Sequence, residues 1–118
     1  MRIKLIVVRT QYPEKLADFY SLLGLTFDYH KYGNSPYHYS AVIDGLIFEI
    51  YPFTKNQTEA DKNLRLGFEL DSFEESLAAL SNQGFLISEP KQTDFGIIAI
   101  ITDPDGRKIE LYKSNESI

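Results

Sequence analysis

The eight residues Asp44-Gly45-Leu46-Ile47-Phe48-Glu49-Ile50-Tyr51 recur near the end of the chain as Asp105-Gly106-Arg107-Lys108-Ile109-Glu110-Leu111-Tyr112. Each copy is a turn dipeptide opening into a strand that carries one carboxylate, and Glu49 and Glu110 are 61 positions apart. Gly24 has its counterpart in Gly84, a shift of 60, so the period reaches upstream of the octapeptide. A fixed period of this size marks a repeated supersecondary unit. The 118 residues fit one domain, and half that length is near the limit at which a core can support itself. Two half-domains that share a core or a sheet are therefore expected.

Apolar patterning fills in each half. Ile3, Leu5 and Val7 alternate with Lys4, Ile6 and Val8, an apolar run on both faces that predicts a central strand. Pro13 suits a first helical position, and Leu16, Phe19, Tyr20 and Leu23 share one helical face until Gly24 stops the helix. Strands are predicted over Leu25–Tyr32, Tyr37–Ile43 and Leu46–Phe53, divided by Gly33-Asn34-Ser35-Pro36 and by Asp44-Gly45. After a polar stretch, Leu64–Asp71 alternates as a half-buried strand. Ser72 with Glu75 predicts a capping box, and Phe73, Leu77 and Leu80 form a helical stripe ending at Gly84. Strands over Phe85–Ser88, Ile97–Thr102 and Lys108–Lys113 complete the set. Both halves read βαβββ: module 1 over residues 1–55, a linker over 56–63 and module 2 over 64–118.

Charge narrows the partners. Twelve basic residues face seventeen acidic ones, for a net charge of −5, and the basic residues are scattered. That argues against nucleic acid or an anionic membrane as partner. Without cysteine, disulfides, thiolate chemistry and a cysteine zinc site are excluded, which fits a reducing compartment. The apolar run Leu5–Val8 is too brief for a signal-peptide core or a membrane span and reads as a strand of a cytoplasmic protein. No serine, histidine and aspartate arrangement points to nucleophilic catalysis, and no glycine spacing forms a phosphate-cradling loop.

Two βαβββ modules, the run Asp103-Pro104-Asp105-Gly106-Arg107-Lys108-Ile109-Glu110-Leu111, and Ala17-Asp18-Phe19-Tyr20 through Leu22-Leu23-Gly24-Leu25 resemble the vicinal oxygen chelate superfamily. That superfamily includes glyoxalase I, fosfomycin and bleomycin resistance proteins and extradiol dioxygenases. The resemblance covers essentially the whole chain and implies an α+β fold of two half-barrel sheets around a cavity, with helices outside. It also implies, for metal-dependent members, four ligands taken from the first and last strand of each module. Placed on this chain, the last-strand positions are Glu49 and Glu110, whereas the first-strand positions fall on Leu5 and Arg65, which cannot coordinate a metal. The resemblance further implies a homodimer, and an arginine at Arg9 that meets an anionic substrate.

If Glu49 and Glu110 face one cavity, they place two partly desolvated carboxylates together, a cost that a cation must relieve. Arg65 can do so through a bidentate fork, pairing with Glu110 or Glu49. Alternatives stay open: the two carboxylates can face solvent in a wide cleft, or hold a hard ion such as Mg²⁺ or Mn²⁺ weakly with waters. Strand alternation gives a candidate lining of Leu5, Val7 and Arg9 in the first strand, Ile47, Tyr51 and Phe53 around Glu49, and Lys108 and Tyr112 around Glu110. This apolar and aromatic mixture with a few charges suits a small organic ligand. His30 and His38, the only histidines, lie outside the implied ligand positions and read as strand or rim residues, although alternation with Tyr37 and Tyr39 leaves a cavity-facing position open to His38. Exposed tyrosines at 29, 32, 37 and 39 are candidate anchors of a homodimer interface.

Three functions follow. The first is metal-independent binding of a small organic molecule, with no cofactor expected. The second is a divalent-metal-dependent lyase, isomerase or dioxygenase in which Glu49 or Glu110 shuttles a proton. The third is a non-catalytic structural or regulatory dimer.

Overall fold

Asp44 and Gly45 both adopt positive φ, 47° and 85°, the conformation of the two-residue turn whose twist matches a β-hairpin. That turn pairs Ile43 with Leu46 and so fixes the register of the two strands it joins. The structure is a computed structural model describing residues 1–114. Its elements in chain order are β1 (Leu5–Thr10), α1 (Pro13–Ser21), β2 (Asp28–His30), β3 (His38–Ile43), β4 (Leu46–Pro52), β5 (Leu66–Leu70), α2 (Phe73–Asn82), β6 (Lys91–Thr93), β7 (Gly96–Thr102) and β8 (Lys108–Lys113). They form two four-stranded mixed sheets, ordered β1-β4-β3-β2 and β5-β8-β7-β6, neither of them closed into a barrel. The architecture is α+β, and each half is βαβββ.

The chain divides into two compact units: Met1–Ser21 with Leu25–Asp61, and Leu22–Gly24 with the chain from Lys62 onward. In the first, β1 runs parallel to β4 and the intervening α1 packs on β1, β3 and β4. Val8, Leu16, Phe19, Tyr20, Ala41, Phe48 and Ile50 are all buried there. Phe48 lies at the centre, its ring 5.2 Å from that of Tyr20 and 6.4 Å from that of Phe27. In the second unit β5 runs parallel to β8, α2 packs on β8, and a 2.6 Å ion pair from Lys113 Nζ to Glu74 Oε1 ties the same two elements. Its core is built from Leu70, Phe73, Leu80, Ala99, Ile101, Ile109 and Leu111.

The conspicuous run at Asp103 turns out to be a structural device. Asp103 Oδ1 accepts the amides of Asp105 and Arg107, and the Arg107 guanidinium, 1% exposed, donates to both Asp103 and Asp105. A buried cation thus meets two carboxylates at the entry to β8, the arrangement a buried charge requires.

Three expectations need correction. β1 stands at one end of its strand order with β4 as its sheet neighbour, because an apolar run on both faces says nothing of lateral pairing, and its second face, Leu5 and Val7, is exposed. The strand expected over Phe85–Ser88 is reduced to a single bridge from Ile87 to Ile101, and the strand pairing with β7 on the side away from β8 is the wholly exposed β6. Ser72 makes no side-chain cap: at φ −123° and ψ 66° its hydroxyl is not brought to the helix amides, and its carbonyl accepts from Ser76 instead.

Phe48→Ala should destabilise the chain by about 3–5 kcal/mol, whereas Val42→Ala, on the open face of the same sheet, should stay within about 0.5 kcal/mol in urea unfolding.

Candidate functional site

Parallel pairing sets Leu5 beside Ile47, Val7 beside Glu49 and Arg9 beside Tyr51. The hairpin register adds Val42 beside Ile47 and Ser40 beside Glu49, and β2 adds Asp28 beside Ser40 and His30 beside His38. Since side chains alternate across a strand, these residues share the face of the sheet that α1 leaves open. Leu5, Val7, Val42 and Ile47 are exposed there, so the first-module residues expected from sequence, Leu5, Arg9, Ile47, Glu49 and Tyr51, do occupy one face.

Polar groups on that face are gathered at His38, which is fully buried. Tyr51 stacks on its ring at 4.1 Å and 9°, and the rings of His30 and Tyr32 approach it at 4.8 and 5.1 Å. His38 Nδ1 lies 3.0 Å from the Pro36 carbonyl. A carbonyl can only accept, so Nδ1 carries the proton. His38 Nε2 then comes within 3.3 Å of Glu49 Oε2, but without hydrogen-bond geometry, and both atoms are buried without a hydrogen-bond partner among the described residues. Burial first, and then the Glu49 charge, push the Tyr51 phenol up from its ordinary value. The Arg9 guanidinium lies over the Tyr51 ring, 4.9 Å from its centroid, and donates to the Pro52 carbonyl at 3.1 Å.

The second module treats the equivalent carboxylate differently. Gly67 and Ile100 flank Glu110, Ile98 flanks Tyr112, and Thr102 flanks Lys108. Arg65 Nη2 donates to Glu110 Oε2 at 2.5 Å, and Tyr112 Oη donates to Glu110 Oε1 at 2.7 Å. Of the two partners expected for Arg65, the one it meets is Glu110. Gly67 makes room for this: a Cβ there would lie 3.0 Å from Tyr112 Cε1, so the tyrosine ring lies over a strand position without a side chain. With the Arg65 side chain 57% exposed, the ion pair contributes on the order of 0.5 kcal/mol, so its effect is to orient Glu110 more than to stabilise the fold. Beside this cluster opens a groove of about 510 Å³ lined by Phe95, Ile98, Ile100, Lys91, Glu110 and Tyr112, among others. Lys108 is exposed and outside that lining.

The residues present do not fit the four-ligand metal site that the resemblance implies. Leu5 offers no donor atom, Arg65 is itself a cation, and both Glu110 oxygens already accept hydrogen bonds. The histidines, read from sequence as strand or rim residues, lie in β2 and β3 and gather at the other carboxylate: His30, His38 and Glu49 place one ligand atom each within 4.8 Å of one another. The signal that could have found them is the Asp44-Gly45 turn, since counting back from it sets Ser40 opposite Glu49 and therefore His38 on the same face. Ile98 and Ile100 carry no such signal, because the apolar run of β7 does not reveal which face is covered, and Phe95 precedes that strand in a turn.

No family model matches the sequence, and no curated protein matches it. Among solved structures, an antibiotic-binding protein from Streptomyces sp. CB03234, TnmS3, is 25% identical with a TM-score of 0.75, covering 98% of this chain and 97% of that one. A glyoxalase/bleomycin resistance protein from the same organism is 26% identical with a TM-score of 0.70, covering 94% and 99%. The oxidase ChaP-H2, 15% identical, shares the fold with a TM-score of 0.77 over 99% and 96% of the two chains. The fold is the vicinal oxygen chelate fold. Within it, the structural neighbours are glyoxalase and bleomycin resistance proteins and their relatives, which supports placing the chain in that superfamily.

The hydrogen bond to Glu110 keeps the proton on Tyr112 and raises its pKa above the ordinary value. Because folding raises it, the contribution to stability is complete below a pH of about 10 and is lost as pH rises through the folded value. In ¹³C NMR of ring-labelled tyrosine, Tyr112 should ionise above about 10 and move down in Glu110→Gln. A Tyr112 phenol titrating at or below 10 in the parent chain would show that the bond is not made in solution.

Proposed function

We propose that this chain binds a small organic molecule in the groove of the second module without converting it, and without a metal ion at Glu110. The observation that carries the reading is the double engagement of Glu110 by Arg65 and Tyr112. It leaves the carboxylate neither a free ligand for a metal nor a free base for proton transfer, and it holds the Glu110 carboxylate and the Tyr112 phenol, both in the groove lining, beside apolar walls. Ile98, Ile100 and Phe95 supply the desolvating surface, and Lys91 and Glu89 supply charges of both signs at the rim. Concave apolar surface with a few convergent polar groups is the usual form of such a site. The likeness to an antibiotic-binding protein over nearly the whole length of both chains supports the same reading.

The engaged state of Glu110 weighs against a metal-dependent lyase, isomerase or dioxygenase that would use Glu49 and Glu110 together. Our reading also takes the chain as a homodimer of the cytoplasm. Tyr29 and Tyr37, both exposed and stacked at 5.1 Å, offer the rigid aromatic surface that interfaces favour.

Calorimetric titration of chelator-treated protein with bleomycin and a panel of other amphipathic aromatic antibiotics tests the function. One compound should bind with a dissociation constant in the micromolar range or below and be recovered unchanged by mass spectrometry. Ile100→Arg and Tyr112→Ala should each weaken it about tenfold, corresponding to about 1.4 kcal/mol. Binding that survives both substitutions, or that requires an added divalent ion, would overturn the reading.

A further inference from the structure

We propose that His30, His38 and Glu49 form a binding site for one divalent first-row transition-metal ion, with imidazole and carboxylate donors of the kind that suit Zn²⁺, Co²⁺ or Ni²⁺. The set is built inside the first module from β2, β3 and β4, and two of its three members lie away from the first and last strands.

Unsatisfied buried polar atoms mark the cluster. His38 is 0% exposed and Glu49 is 4% exposed, so both groups have left water. The bond from His38 Nδ1–H to the Pro36 carbonyl leaves Nε2 as the ring atom nearest the carboxylate, 3.3 Å from Glu49 Oε2 but without hydrogen-bond geometry to it. Two buried polar atoms thus stand side by side, and each lacks a hydrogen-bond partner among the described residues. A positive species between or beside them satisfies both. Arg9, a cation on this face, has its guanidinium over the Tyr51 ring and on the Pro52 carbonyl.

Geometry favours a metal ion in that role. Ligands about 2.0–2.1 Å from a tetrahedral ion stand about 3.3 Å apart, and the His38–Glu49 separation is 3.3 Å. His30 Nε2 is also buried without a hydrogen-bond partner, and all three ligand atoms fall within 4.8 Å, a spread that rotation of the partly exposed His30 can close. The Pro36 carbonyl on the far nitrogen of His38 is the outer contact that orients a metal-binding imidazole. Tyr51, stacked on His38, holds the ring in plane. Two imidazoles and one carboxylate favour zinc, cobalt or nickel over the hard ions that carboxylates alone would take, and three protein ligands leave a fourth position for water.

The test uses the full chain, free of tags and stripped with chelator, titrated with Co²⁺ and Zn²⁺ by visible absorbance and calorimetry. One ion should bind per chain with micromolar or tighter affinity, Co²⁺ should give the d–d bands of nitrogen and oxygen ligation, and Zn²⁺ should raise the melting temperature. Glu49→Gln and His30→Gln should each weaken binding at least tenfold. Because substitution of the buried His38 could prevent folding, its role is read in the parent chain, from paramagnetically shifted imidazole protons of two histidines in the Co²⁺ form. Absence of binding at 100 µM metal would overturn the proposal and leave an imidazolium–carboxylate pair. So would affinity unchanged in Glu49→Gln, or an ion lost in Glu110→Gln while Glu49→Gln still holds it. The site lies in the first module and the organic-ligand groove in the second, so failure of either test leaves the other reading standing.

Discussion

Parallel pairing of the first and last strand of each module, β1 with β4 and β5 with β8, is the constraint from which the rest follows. Parallel neighbours cannot be joined by a tight turn, so the chain between them must cross over, and in both modules it does so through a helix. The helix covers one face of the sheet and leaves the other open. Strand alternation then assigns every residue to one face or the other: Phe48 and Ile50 go under α1, while Ile47, Glu49 and Tyr51 face away from it. The positions of the functional side chains are thus a consequence of chain connectivity before any particular side-chain contact is made.

Much of this was legible in the residues. Asp-Gly at 44–45 predicted a hairpin turn, and both positions have the positive φ that such a turn needs. Pro13 begins α1, and the bounds of β8 agree with the alternation of its residues. Arg65 could be placed against a carboxylate because strand alternation sets it on one face with Gly67 and Glu69, and in the structure Gly67 pairs with Glu110. β6 was not legible, since Lys91-Gln92-Thr93 is exposed throughout and an edge strand of that kind carries no alternation. Nor was the environment of His38. A histidine between two tyrosines has no local mark of burial, and what buries it is stacking by Tyr51 from a strand that follows in the chain.

The motif that most strongly marked the fold says the least about ligands. Asp103, Asp105 and Arg107 pair with one another inside a turn, and their job is to set the entry of β8 so that Glu110 and Tyr112 reach the open face. A fold signature and a binding signature can therefore adjoin one another and remain chemically separate.

Glu49 and Glu110 occupy matching places in the repeat, yet one is enclosed by imidazole and stacked rings while the other is held by a guanidinium and a phenol. The backbone has kept its internal symmetry and the chemistry has given it up. A chain assembled from two copies of the first half would duplicate the histidine cluster and contain no arginine-held carboxylate; two copies of the second half would do the reverse. The halves have become complementary parts, and neither can serve as the spare for the other.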